Sequence, residues 1–164
     1  MPRDTLVSEV MTADVLAFGP DDKVQDAMQT MVDRSIDGAP VVAEGKVVGL
    51  LSTSDLIVQE SQLHFPTVIS LLGATLELPS SKHRFDEDIE KALGSKVSDV
   101  MQDHPHLIGR DDTLERAATI MHDHDVSRLP VVDPDGALVG IIARADILRA
   151  IIGARPASEP VTEA

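Results

Sequence analysis

A chain of 164 residues with 43% apolar side chains has enough hydrophobic mass for one compact domain or two small units sharing a core. Its net charge of −14, from 14 Lys and Arg against 28 Asp and Glu, repels polyanions and argues against nucleic acid or an anionic membrane as partner. Three Phe with no Trp or Tyr remove the stacking platforms of single-strand binders, and the lack of Cys excludes disulfide and thiolate chemistry, as suits a cytoplasmic protein.

The first ten residues, MPRDTLVSEV, lack the apolar stretch of a signal peptide. Residues 15–18 (Val-Leu-Ala-Phe) form a short extended stretch leading to Asp21 and Asp22, acids that suit a helix N-terminus as acceptors and as charges matched to the dipole. Val24, Ala27, Met28 and Met31 then recur at i, i+3, i+4 and i+7, which predicts an amphipathic helix. Pro40-Val41-Val42 and residues 47–51 flank Ala43-Glu44-Gly45-Lys46 in a hairpin pattern, and a second helix is expected to start near Ser54 and Asp55. The order is strand, helix, strand, strand, helix.

Residues 58–95 follow a different pattern. Phe85, Ile89 and Leu93, four apart and followed by Gly94, predict a glycine-capped helix. Residues 63–78 are apolar enough to pack on the rest of the chain or on a second chain; the longest apolar-rich stretch, 65–78, contains Pro66 and Gly73 and is too short to span a bilayer.

The first pattern then returns. Val10-Met11 recurs as Val100-Met101, Ala27 as Ala117, Met31 as Met121 and Pro40-Val41-Val42 as Pro130-Val131-Val132, all at an offset of 90. Pro134-Asp135-Gly136 stands where the first copy has Glu44-Gly45, and past this turn the offset is 91, with Gly49 matching Gly140 and Asp55 matching Asp146. Leu107-Ile108, Asp111-Asp112 and the series Leu114, Ala117, Ala118, Met121 repeat the extended stretch, the acids and the helix. A lone insertion at a turn, with register kept on both sides, marks two copies of one folded unit. The expected fold is α/β, with two β-α-β-β-α repeats related by a pseudo-twofold axis. The first repeat covers 1–57, an inserted helical linker 58–95, the second repeat 96–152, and a disordered tail 153–164.

The sharpest chemical pattern is Gly49-Leu50-Leu51-Ser52-Thr53-Ser54-Asp55, a strand end running into a helix start. A hydroxyl and free helix N–H groups there can hold a phosphate, with Asp55 accepting from the hydroxyls of a ribose. Ser-x-x-acid ahead of an apolar run is equally a capping box, which implies no ligand. The second copy, Gly140-Ile141-Ile142-Ala143-Arg144-Ala145-Asp146, lacks the hydroxyl but keeps Asp146. Ala143 cannot cap, so capping does not account for the acid; Arg144 is either a phosphate contact or a solvated surface charge, and Asp146 either a ligand contact or an ordinary helix-start acid. His104 and His106, two apart in an extended stretch, share a face as metal ligands would, with exposed polar positions as the alternative; His122 and His124 diverge on a helix. No arrangement of catalytic residues emerges.

Taken together, the Val10-Met11-Thr12 lead-in, the x-x-P-V-V start of the hairpin and the G-h-h-S/T-x-x-D exit, in order and twice over 7–57 and 97–150, resemble a pair of CBS domains, a Bateman module. The resemblance implies two β-α-β-β-α units packed through their sheets. Clefts between them would bind an adenosine ligand: AMP, ADP, ATP or S-adenosylmethionine. It places base-holding backbone at the strand lead-in and before the Pro, phosphate contact on the S/T and ribose contact on the D. By position these fall on Thr12, Leu16, Gly38, Ala39, Pro40, Ser52 and Asp55 in the first half, and on His106, Arg128, Leu129, Pro130 and Asp146 in the second. Ala143 departs from the pattern, so phosphate recognition there falls to Arg144. The function expected is a non-enzymatic regulatory module, without a covalent cofactor or metal, that senses an adenosine ligand and acts on a separate target protein. The alternative is a ligand-free assembly module. A homodimer is expected, meeting through the amphipathic helices and residues 63–78.

Overall fold

The computed structural model describes residues 4–54, 68–71, 74–77 and 95–153. In chain order the elements are α1 (Val7–Val10), α2 (Val24–Asp33), β1 (Gly38–Ala43), β2 (Lys46–Ser52), β3 (Val68–Leu71), β4 (Ala74–Glu77), α3 (Val97–Val100), β5 (Gln102–Asp103), β6 (Ile108–Gly109), α4 (Leu114–Asp123), β7 (Arg128–Val132), β8 (Leu138–Ala143) and α5 (Arg144–Ile152). Around α2 and around α4 the order is the predicted extended stretch, helix and hairpin.

The turns follow from local chemistry. Glu44 and Gly45 both have positive φ, 52° and 77°, which gives the two-residue primed turn that matches strand twist. The second hairpin has a longer loop. There the Asp133 carboxylate accepts from the N–H groups of Asp135 and Ala137, both at 2.9 Å, and Gly136 takes φ 85°. That loop accommodates the inserted residue.

The chain divides into two compact units, one made of residues 1–17, 42–48 and 104–164, the other of 18–41 and 49–103. In the first, the α4 unit, β6 runs parallel to β7 with Ile108 opposite Val131, and β7 runs antiparallel to β8. The N-terminal arm closes this unit. Val7 N–H donates to the Asp112 carbonyl at 2.8 Å, Leu114 N–H to the Thr5 carbonyl at 3.0 Å, and Thr12 and Ile141 exchange both backbone bonds. Val7, Leu114, Leu129, Val131 and Ile142 are fully buried in its core.

In the α2 unit, β5 pairs with β2, Gly49 opposite Asp103 and Leu50 opposite Gln102. Phe18 N–H donates to the Pro40 carbonyl at 3.0 Å, the parallel contact expected of the first extended stretch. Here residues 95–103 are the closing arm: Val97 N–H donates to the Asp22 carbonyl at 2.8 Å and Ser98 N–H to that of Pro20 at 2.9 Å. Each arm therefore builds into the unit that holds the other repeat's hairpin exit. Glycine makes this possible. A Cβ on Gly140 would overlap the Met11 side chain and lie 3.0 Å from the Thr12 carbonyl; one on Gly49 would overlap Met101 and lie 3.1 Å from the Gln102 carbonyl.

Three sequence expectations change. Asp22 and Asp112 do not cap the helices that follow; their carboxylates accept from Gly19 N–H at 2.7 Å and Gly109 N–H at 2.9 Å, closing the turn ahead of each helix. The N-caps are Lys23 and Thr113, and only Thr113 accepts through its side chain. Second, Val24, Ala27 and Met31 and their counterparts Leu114, Ala117 and Met121 are buried and fill the core of their own unit, which leaves only the half-buried Met28 and Ala118 of these faces toward the surface. Third, the inserted segment contains an antiparallel hairpin in which Val68 faces Glu77 and Leu71 faces Ala74. β-branched Val68, Ile69 and Thr75 favour it. The helix read from Phe85, Ile89 and Leu93, and the tail from 154, lie outside the described residues.

Candidate functional site

In the α4 unit, the start of β6, the start of β7 and the end of β8 meet at one edge of the sheet. Arg128 lies opposite Ala143 and Leu129 opposite Ile142, while β6 runs parallel alongside from Ile108. His106, just ahead of β6, Arg128, Leu129 and Pro130 at the start of β7, and Arg144 and Asp146 just past β8 therefore lie at the same end of the sheet. Leu129 and Pro130 are fully buried and offer backbone, whereas the His106 and Arg128 side chains are half-buried.

The two charged residues of this junction already have partners. Ala143 N–H donates to Asp146 Oδ2 at 2.8 Å and Arg149 Nη1 donates to Oδ1 at 2.7 Å. This overturns the inference that capping cannot account for the acid: the helix-start carboxylate takes the Ala143 N–H although alanine returns nothing. Each carboxylate oxygen keeps a lone pair, and the side chain is 16% exposed. Arg144 Nε donates to the Val126 carbonyl at 3.2 Å, and Nη2 to the Met121 carbonyl at 3.4 Å and to Asp125 Oδ1 at 3.2 Å. It thus clasps the C-terminal turn of α4, where the dipole favours a cation, rather than standing as a solvated charge. Among the described residues its Nη1 has no protein partner, so two donors remain for an anion.

In the α2 unit, Gly38, Ala39 and Pro40 open β1 and Ser52 closes β2. The Ser52 and Ser54 hydroxyls lie 3.0 Å apart, and Thr53 donates to the Asp37 carbonyl from both its N–H, at 2.9 Å, and its hydroxyl, at 3.4 Å. Asp55 lies outside the described residues. Thr12, grouped by position with these residues, is bonded instead to Ile141 on β8, and Leu16 also belongs to the α4 unit.

The histidine reading changes as well. His104 has φ 49°, which breaks the extended run that would place it on one face with His106. His106 stacks instead on His124, centroids 3.8 Å apart and planes inclined by 21°. No group of three or more candidate metal ligands occurs among the described residues. Sequence reasoning missed His124 as a partner of His106, because they stand 18 positions apart across a helix and no spacing rule joins them.

α4 and α5 line two adjoining cavities of about 350 and 430 Å³ that share Ala118, His122 and Ile147, and the smaller one also reaches Asp125 and Arg144. Beside them α5 exposes Leu148 (60%), Ile151 (49%) and Ile152 (75%), although Ile147 on the same helix is buried. No described helix is long and apolar enough to cross a membrane.

The CBS-domain family pattern matches residues 7–60 and 97–153. This chain belongs to the CBS-domain family, as a tandem pair. It is 32% identical over 154 residues to protein MJ1426 of Methanocaldococcus jannaschii, covering 90% of this chain and 91% of that one. It is 36% identical over 157 residues to the chloroplastic CBS domain-containing protein CBSX1 of Arabidopsis thaliana, covering 89% of this chain but only 64% of the plant protein. Its fold superposes on the crystal structure of CBSX2 in complex with AMP with a TM-score of 0.68 and 28% identity, covering 91% of this chain and 97% of that one.

Proposed function

We propose that this protein is a regulatory CBS pair that binds an adenosine ligand and relays its occupancy to a separate protein, without catalysis of its own. The observation that carries the reading is the convergence of His106, Arg128, Leu129, Pro130 and Asp146 at one sheet edge. The ligand class is supported by the AMP complex of the similar CBSX2. In this reading the backbone at His106 and before Pro130 holds the base, Asp146 uses its spare lone pairs for the ribose, and Arg144 Nη1 meets phosphate. Gly38, Ala39, Pro40, Ser52 and Asp55 play the corresponding roles in the first half, with Thr12 and Leu16 as further backbone contacts. Calorimetric titration of AMP, ATP and S-adenosylmethionine tests it: at least one should bind, and binding of none would sink the proposal.

The signalling route is a homodimer. The apolar stripe Leu148, Ile151, Ile152 on α5 supports it, since monomers seldom leave such a stripe in water. Light scattering should give twice the 17.6 kDa chain mass, and Leu148→Glu should halve it. One observation favours a ligand-free assembly module instead: Arg144 and Asp146 already serve the fold. The same titration separates the two.

A further inference from the structure

The second repeat holds a contact that the first cannot make. His106 lies on the lead-in to β6 and His124 ends α4, and their rings are stacked with centroids 3.8 Å apart. At the corresponding offset of 90 the first repeat has Leu16 and Arg34. His106 is half-buried and His124 exposed, so both rings are open to proton exchange with water. Among the described residues neither ring makes a hydrogen bond or ion pair, so face-to-face contact is what joins them. Nearly parallel planes, 21° apart, aim the ring nitrogens side by side and not at one point, which disfavours a shared metal.

Neutral imidazoles attract across such a stack; two imidazolium rings at this distance repel. Imidazole is the side chain whose charge ordinarily changes between about pH 5 and 8. The charged and titratable groups on the surrounding elements are Asp103, His104 and Arg110 flanking His106; His122, Asp123 and Asp125 at the end of α4; Arg128 opening β7; and Arg144 opening α5. Asp125, the carboxylate next to His124 in the chain, is held by Arg144 at 3.2 Å and so is already compensated. His122 lines the α4–α5 cavities.

We infer that the His106–His124 stack is a proton gate on the second-repeat site. With neutral rings it holds the lead-in to β6 against the end of α4; when both rings are protonated it opens, and the backbone that would hold the base at His106 loses its support. The gate rests on the adenosine reading proposed above. The first repeat, with Leu16 and Arg34, has none and serves as an internal control.

Adenosine is the probe, because it carries no phosphate to be attracted by added positive charge. In the full chain, one class of adenosine sites should weaken roughly fivefold to tenfold from about pH 7.5 to about pH 5.5, the other staying within about twofold. His124→Gln, at an exposed position, should remove the pH response, and so should His106→Leu, which installs the first-repeat residue. A second readout needs no ligand: the His106 ring protons, shielded by the stack in wild type, should move on acidification by more than they do in His124→Gln. Wild type and His124→Gln sharing one pH dependence would overturn the gate, as would ring opening without loss of adenosine affinity. No adenosine binding at neutral pH would overturn the ligand reading and the gate with it, a failure distinct from binding that ignores pH.

Discussion

At the exit of the first hairpin the chain reads Ser52-Thr53-Ser54 and at the exit of the second Ala143-Arg144-Ala145, yet the backbone does the same thing at both. Thr53 N–H donates to the Asp37 carbonyl at 2.9 Å, and Arg144 N–H donates to the Ser127 carbonyl at 3.0 Å. The side chains diverge from there. At the first junction the Ser52 and Ser54 hydroxyls bond to one another and the Thr53 hydroxyl donates to the Asp37 carbonyl. The second sends a guanidinium across to the last turn of α4 and leaves an acid to take the Ala143 N–H. A main-chain bond fixes the strand-to-helix turn, so the side chains on it can carry different work in each repeat.

The largest effect should come from what the two units have in common. Gly140→Val must displace Met11, so we expect a loss of about 3 kcal/mol or more in urea unfolding, partly recovered by adding Met11→Ala. Gly49→Val with Met101→Ala should behave in parallel; recovery in one unit alone would break the likeness between the arms.

The acids come next. Asp55→Ala and Asp146→Ala should each cost on the order of 2–3 kcal/mol of adenosine-ligand affinity by calorimetry. Asp146→Ala should also lower stability by about 1 kcal/mol through the lost bond to Ala143 N–H. A stability loss with unchanged affinity would leave Asp146 as a helix cap only.

Arg144→Ala should destabilise the fold by about 1 kcal/mol, since it unclasps the α4 end, and should weaken nucleotides more than adenosine. Ser52→Ala should weaken nucleotides with little change in stability. An unchanged nucleotide-to-adenosine ratio in Arg144→Ala would confine that residue to the clasp. The smallest effect is expected at the ion pair of Lys96 Nζ with Asp21, 2.9 Å apart at the surface. The bond to the Asp21 carboxylate raises the Lys96 pKa, but the pair is open to solvent, so Lys96→Ala should leave the melting temperature unchanged.

Much of this was legible in the sequence because its causes are local. The 3.6-residue period picked out Val24, Ala27 and Met31, and Leu114, Ala117 and Met121, as buried positions. Glu44-Gly45 and Pro134-Asp135-Gly136 announced their turns through backbone preference. The offset of Gly49 and Gly140 showed that the unit occurs twice, and the motif order identified the family. Periodicity also marked which residues turn inward, but it could not say against what. It gave no sign that Met11 covers Gly140 and Met101 covers Gly49, that Asp22 and Asp112 close turns onto Gly19 and Gly109, or that Leu148, Ile151 and Ile152 are left exposed on the single chain.

Sequence alone settled the repeat and, within each copy, one helix with its buried positions and the hairpin after it, the last two being products of neighbours within about seven residues. Only the tertiary structure decided which arm closes which unit, where the Arg144 guanidinium goes and which ring meets His106. Those outcomes depend on groups that the chain brings within hydrogen-bonding or van der Waals distance from far apart. Met11 and Gly140, or His106 and His124, leave no local pattern by which one could be inferred from the other.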